Sequence, residues 1–243
     1  MSESLAGRVA VLELGPFSLA EAHALPASGF SGLIVEQQPP QAFLDLPVRL
    51  GLTQVYDYWL RGGYPETWLK NQPRFALLWM QNYLQTYLER DLARLFPGLN
   101  REKFRLFAQM LAQLSGSVIN YSEVARALSV SQPRIRDYFH IADGTFIWRH
   151  LPAFEKNAIK RVVKHPKGYL RDSGLLHFLL RIQEREQLLG HPRMGASWEG
   201  MVIETILRGL HAQGADFHAY HYRSGAGAEI DLVLEGAFGT HRD

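Results

Sequence analysis

The chain has 243 residues, 47% apolar and 12% aromatic, which is enough to bury a sizeable core as one large domain or two to three small ones. It contains no cysteine, which excludes disulfides and thiolate metal sites, and it has no apolar run near the ~20 residues of a membrane helix. The opening MSESLAGRVAVLELG lacks a basic leader, so a cytoplasmic protein with no membrane partner is expected.

The net charge of +2 hides an asymmetry. Residues 126–172 carry ten Lys or Arg against four Asp or Glu, leaving sixteen against twenty elsewhere. A block of this kind marks either a polyanion-facing surface or a solvated face.

In chain order, residues 5–14, LAGRVAVLEL, read as a turn and a buried strand. Ser18 then has the character of a helix cap, with Glu21 in capping-box spacing, and EQQPPQAFLDLP reads as a loop. Residues 52–61, LTQVYDYWLR, form a short amphipathic helix stopped by Gly62 and Gly63, and YPE follows as a turn. The strongest periodicity lies in residues 74–96, where Phe75, Leu78, Trp79, Tyr83, Leu84, Leu88, Leu92 and Leu95 return to one face of a core helix. On that helix Glu89, Arg90, Asp91 and Arg94 have the spacing of i,i+3 and i,i+4 ion pairs. REKFRLFAQMLAQLSG repeats the pattern through Phe104, Phe107, Leu111 and Leu114, and Gly116 stops it.

Shorter elements come next. Asn120 and Glu123 stand in capping spacing before a helix burying Val124 and Leu128; Ser131 and Pro133 open a second that buries Ile135, Tyr138 and Phe139. Two short helices joined by a tight turn are a helix-turn-helix candidate. TFIWRHLP and residues 168–172 are β-rich runs flanking the basic EKNAIKRVVKHPK, and a hairpin after such a pair predicts a winged helix, with Trp148 as packing. Residues 173–190 and 197–213 read as helical, and YHYRS and EIDLVLE as strands around Gly225–Gly227.

Two groups of residues carry candidate chemistry. Gln132, Arg134 and Arg136 start the presumed recognition helix, with His140 also outward, and Lys156, Lys160, Arg161, Lys164 and Lys167 could follow a phosphate backbone; a protein-interaction surface and a solvated loop are the alternatives. Strand alternation puts Glu229 and Asp231 on one face and Ile230, Leu232 and Leu234 on the other, which suits two carboxylates on one cation or the wet face of a half-buried strand. His218 and His221 fall on opposite strand faces, which opposes shared metal coordination.

The phrases LAGRVAVLELGPFSLAE, WLRGGYPE, LERDL, KRVVKHPKGYLRDSGLL, ASWEGMVIETIL and YRSGAGAEIDLVLE occur in one order over nearly the whole chain. In that order the sequence resembles prokaryotic AAA-type ATPases whose C-terminal half is a domain of unknown function. The resemblance implies a mainly helical α+β chain: residues 1–45 as the end of an AAA-type core, 46–116 as a helical connector, 117–172 as a winged helix-turn-helix, and 173–243 as an incomplete PD-(D/E)xK nuclease-like, restriction-endonuclease-like α/β region. ATP and Mg²⁺ serve complete relatives of this kind. No Gly-Lys pair of a phosphate-binding loop occurs here, so no cofactor is expected in this chain. Arg8 matches a family arginine near the nucleotide and also reads as a surface residue before a strand.

In the nuclease-like fold a helix glutamate, a strand aspartate and a following Glu-x-Lys strand converge on a metal. Glu199 matches the helix acid and Asp231 the strand acid, with Glu229 beside it. The twelve residues after Asp231 hold no lysine, and Arg223 could pair with Glu229 or Asp231. Three readings follow: a truncated family member that binds double-stranded DNA or a protein partner without hydrolysing ATP, a metal-dependent nuclease using Glu199, Glu229 and Asp231, or a gene fragment truncated at both ends.

Overall fold

The computed structural model describes residues 13–155, 165–224, 227–236 and 238. It is a mixed helix and sheet protein of the α+β class, mainly helical, with small antiparallel sheets. Among the described residues no helix is long and apolar enough to cross a membrane.

The N-terminal part is built from short helices: α1 (Leu19–Ala22), α2 (Phe30–Val35) and α3 (Pro40–Leu44). The Ser18–Glu21 capping box forms as the spacing predicts. Most of the strand expected at 5–14 lies outside the described residues, and Leu14, at its end, is 98% exposed in irregular backbone. The expected loop at 36–47 contains α3, because Pro40 is pre-set for the first turn of a helix.

Local signals specify the next elements. α4 (Leu52–Arg61) ends at Gly62, whose φ of 71° needs glycine, and the YPE segment continues into α5 (Pro65–Leu69). The expected single helix over 74–96 is α6 (Pro73–Thr86), a π-helical turn (Tyr87–Asp91) and α7 (Leu92–Leu95). It buries Met80, Tyr87, Leu88 and Leu92 but leaves Leu78 and Leu95 exposed, the latter after the wider turn has shifted the helical phase. Glu89 pairs across to Arg105 at 3.0 Å, not along its own helix, and Arg90 meets Asp91 at 3.5 Å.

α8 (Arg101–Leu114) presents Phe104, Phe107, Ala108 and Leu111 to the largest core cluster. β1 (Ser117–Val118), α9 (Tyr121–Ala127) and α10 (Gln132–Gly144) follow, with Asn120 and Ser131 as side-chain caps. β2 (Trp148–Leu151) and β3 (Lys167–Leu170) complete an antiparallel sheet of order β1-β3-β2. Trp148 is fully buried, its indole lying where a Cβ on Gly168 would stand, so it packs as the sequence implies.

The expected helix at 173–190 is split. α11 (Ser173–Leu180) stops at Arg181, in the left-handed region at φ 60°, and α12 (Arg185–Leu189) starts afresh. α13 (Met194–Ala212) precedes the hairpin of β4 (Phe217–Arg223) and β5 (Glu229–Gly236). Leu232 and Leu234 pack with Leu151, Tyr169, Ile203 and Leu207, while Ile230, expected with them, is exposed. The segment after β2 ties this hairpin to the first sheet, with His221 N–H on Pro152 O at 3.0 Å and Phe154 N–H on His221 O at 2.6 Å.

Two widely separated phrases lock together in the middle of the fold. Buried Asp172 caps α11 by accepting from Leu175 N–H at 2.9 Å and also accepts from Gly63 N–H at 2.7 Å. A Cβ on Gly62 would run into the Asp172 carboxylate, and one on Gly174 into the Arg61 carbonyl, so the RGGYPE and LRDSGLL phrases need glycine for close approach.

Candidate functional site

β3 explains why the acids gather. Lys167 and Tyr169 on the strand and Arg171 just past its end alternate onto the side facing α13, while Gly168 and Leu170 turn to Trp148 and the main core. Opposite them, α13 carries Glu199 and, just over a turn later, Glu204.

At the first position Lys167 Nζ lies 2.6 Å from Glu199 Oε1, 3.0 Å from Glu229 Oε1 and 2.9 Å from Asp231 Oδ1. An ammonium has three N–H donors, and here three carboxylates accept them. The Lys167 side chain is 5% exposed, whereas that of Asp231 is 52% exposed. Burial opposes the lysine charge, but the hydrogen bonds it donates to Glu199, Asp231 and Glu229 outweigh that and raise the Lys167 pKa. Tyr169 Oη donates to Glu199, and burial together with that carboxylate pushes the phenol pKa up.

The arrangement brings together all three acids named from the sequence. A lysine stands among them, from a strand more than sixty residues before Asp231. Two expectations are corrected. Lys167 does not face a phosphate backbone, because it is buried among acids, and the partner of Glu229 and Asp231 is Lys167 and not Arg223. Three carboxylates suit a hard divalent cation chemically, but Nζ fills their point of convergence. Among the described residues no group of three or more His, Cys, Asp or Glu is arranged to hold a metal ion. A lysine held in its charged form is a poor base or nucleophile, so in this geometry it neutralises and positions the acids.

At the second position the signs are reversed. Buried Glu204 receives Arg149 through both carboxylate oxygens, Arg171 Nε at 3.3 Å and Arg208 Nε at 3.4 Å; Arg171 also reaches Glu13. Burial raises the Glu204 pKa, and the three guanidinium groups more than offset it, so the net shift is downward. This cluster escaped the sequence reading, although the i,i+4 spacing of Glu204 and Arg208 and the Lys-x-Tyr-x-Arg alternation of β3 were visible.

A third link is uncharged. Ser197 Oγ accepts from Trp59 Nε1 at 2.9 Å and lies 2.7 Å from His177 Nε2, while His177 Nδ1 lies 3.0 Å from Leu60 O. With Nδ1–H donating to that carbonyl, Nε2 accepts the serine proton. Burial lowers the His177 pKa to about 4. The serine is itself buried, so this pair holds α13 to α4 and α11 and meets no substrate.

The second predicted surface is α10. Ile135, Tyr138 and Phe139 face the core as expected, leaving Gln132, Arg134, Arg136 and His140 exposed. Arg136 lies over the Tyr121 ring, 4.4 Å from its centroid. Arg8, Lys156, Lys160, Arg161 and Lys164 lie outside the described residues.

A family model described as a domain of unknown function, DUF8612, matches residues 52–186. The chain belongs to that family. A second model, the domain of unknown function DUF4143, matches residues 194–240. Uncharacterized proteins of Mycobacterium bovis and Mycobacterium tuberculosis are each 35% identical to the chain over 234 residues. The match covers 96% of this chain and 46% of each relative, so the chain spans about half the length of the curated relatives it matches. No solved structure matches. All three links described above join the two matched segments: Lys167, Arg149, Arg171, His177 and Trp59 lie in the DUF8612 segment, and Glu199, Glu229, Asp231, Glu204, Arg208 and Ser197 in the DUF4143 segment.

Proposed function

We propose that this DUF8612 chain is a recognition module, the part of an AAA-type ATPase relative that binds duplex DNA through a winged-helix unit and does not itself hydrolyse ATP. The observation that carries the reading is the α10 surface. Its inward positions are apolar and buried, while Gln132, Arg134, Arg136 and His140 are exposed on its outward face. The order of α8, β1, α9, α10, β2 and β3, with a β1-β3-β2 sheet, supports the winged-helix assignment.

Such binding is electrostatic in large part, so it weakens steeply as salt rises. Fluorescence anisotropy on a short duplex at two salt concentrations is the measurement. Arg134→Glu and Arg136→Glu are expected to lower affinity at least roughly tenfold, since each places an anion against phosphate. Lys70→Glu, on the exposed end of α5, is expected to leave it nearly unchanged. Equal losses from all three substitutions would mean only general charge attraction, and no binding at low salt would move the surface to a protein partner.

A second reading is favoured by one observation, the lysine standing among Glu199, Glu229 and Asp231. Those are the residue types of a PD-(D/E)xK nuclease. The recognition reading expects no cutting of plasmid or branched DNA with Mg²⁺ or Mn²⁺; cutting that disappears in Asp231→Ala would establish the nuclease instead.

A further inference from the structure

We infer that the cleft between β2, the C-terminal end of α13 and β4 binds a small organic oxyanion, a carboxylate or phosphate monoester carried on an apolar body. The cleft encloses about 400 Å³, and its lining includes Arg149, Leu151, Leu207, His211, Phe217 and Ala219. His150 also lines it and turns its ring to Asp143 and Phe139, but none of Gln132, Arg134, Arg136 and His140 on α10 is in the lining. The site is therefore separate from the surface proposed for DNA.

A free donor is the first argument. Arg149, Arg171 and Arg208 gather around Glu204 in a largely buried cluster, in which Arg171 also meets Glu13, and Asp172 and Asp143 act on Arg208 and Arg149. Arg149 spends Nε and one Nη on Glu204; its other Nη bonds to no described group and is not among the buried polar atoms left unpaired. That nitrogen belongs to the one guanidinium of the three that lines the cleft.

The second argument is the rim. The His211 ring lies 4.8 Å from the Phe217 ring, at the end of α13. Burial lowers the His211 pKa, and the Arg149 guanidinium lowers it further; Glu13, Arg171 and Glu204 are the other charges acting there. An oxyanion placed between Arg149 and His211 would accept from both and favour the imidazolium.

The third argument is the wall. Phe217 and Ala219 pack beside Leu151 and Leu207, giving an apolar surface next to Arg149. An inorganic anion would leave that surface wet, whereas an organic anion covers it, the usual division of labour in small-molecule sites. One free guanidinium nitrogen suits a single carboxylate or phosphate monoester better than a polyphosphate.

Isothermal titration of the full chain with phenyl phosphate, benzoate, inorganic phosphate and benzyl alcohol tests the proposal. Phenyl phosphate or benzoate is expected to saturate with Kd at or below about 1 mM, roughly tenfold or more tighter than inorganic phosphate, with no saturation by the neutral alcohol. The His211 ring-proton titration, read by NMR, should move to higher pH with the bound anion. His211→Ala, at the exposed helix end, should weaken binding several-fold, and Ala219→Trp should fill the cleft and abolish it. Arg134→Glu should change neither. Circular dichroism checks each fold; if Ala219→Trp does not fold, His211→Ala and the NMR shift still decide. No saturation below about 10 mM, equal affinity for inorganic phosphate, or unaltered binding in His211→Ala with no ring shift would overturn the site.

Discussion

One face of β3 meets α13 twice, and the two meetings have opposite charge arithmetic. At Lys167 one cation serves three carboxylates; at Glu204 one anion is the centre for three guanidinium groups. Their surroundings also differ. Glu204 and its arginines are 4–16% exposed, whereas the acids around Lys167 are 24–52% exposed. A surplus of charge is tolerated at little cost where water reaches it and at high cost where it does not. The Glu204 cluster should therefore dominate stability, and the Lys167 cluster should be closer to neutral. Because both join the DUF8612 and DUF4143 segments, the contrast concerns what binds those segments together.

The largest expected effect comes from Glu204→Gln. It leaves Arg149, Arg171 and Arg208 with Glu13 as their remaining ion-pair partner among the described residues, and breaking a buried ionic set in this way costs about 3–5 kcal/mol. A urea unfolding curve measures it. A loss under about 1 kcal/mol would mean that water reaches the arginines and that the contrast is mistaken.

Acid gives the next effect, through the uncharged link. His177 has a folded pKa of about 4, below the unfolded value of 6.5, so the unfolded chain binds the proton more readily between those two pH values. Its contribution to stability is present above pH 6.5 and is lost as pH falls toward 4. Between pH 7.5 and 5 the loss is roughly 2 kcal/mol, and it should be missing from His177→Gln. A pH dependence identical in wild type and variant would assign the acid lability to other groups.

Lys167→Met should cost less, about 1–2 kcal/mol at pH 7.5, because the three stranded carboxylates are partly hydrated. The deficit should shrink as pH falls toward the carboxylate range, where protonation removes the repulsion. A deficit that stays constant would indicate lost packing of the lysine stem.

How much of this was legible depended on sequence distance. α4, α8, α9 and α10 were readable because Gly62, Asn120, Ser131 and the apolar spacing act within one or two turns. The helices at 30–35 and 65–69 were missed because five or six residues hold too little of a 3.6-residue period. Glu199, Glu229 and Asp231 can be named from the sequence, but the lysine that gathers them comes from β3 and not from the strand after Asp231. Lys167 was instead counted in the basic block, where its charge looked free. Arg149 and Arg171 misled in the same way, since net charge along a chain says nothing of a carboxylate that a helix brings back thirty or more residues later.

The smallest effect belongs to Asp231→Asn, and it is the sharpest test of the comparison. Asp231 is the most exposed member of its cluster, so its attraction to Lys167 acts through a largely aqueous medium. The amide oxygen of asparagine can still accept from Nζ, so the hydrogen bond survives while the charge goes. Two opposing terms remain. Losing the anion weakens the pull on Lys167, but it also relieves repulsion from Glu199 and Glu229, which stay on the same ammonium. The net change should lie within about 0.5 kcal/mol of zero, with little shift in the urea midpoint. In a double-mutant cycle, the repulsion term predicts that Lys167→Met costs less when Asp231→Asn is already in place, by up to about 1 kcal/mol. A loss above roughly 2 kcal/mol from Asp231→Asn alone would mean that the carboxylate is shielded from water in the folded protein, and the two clusters would then differ in sign but not in burial.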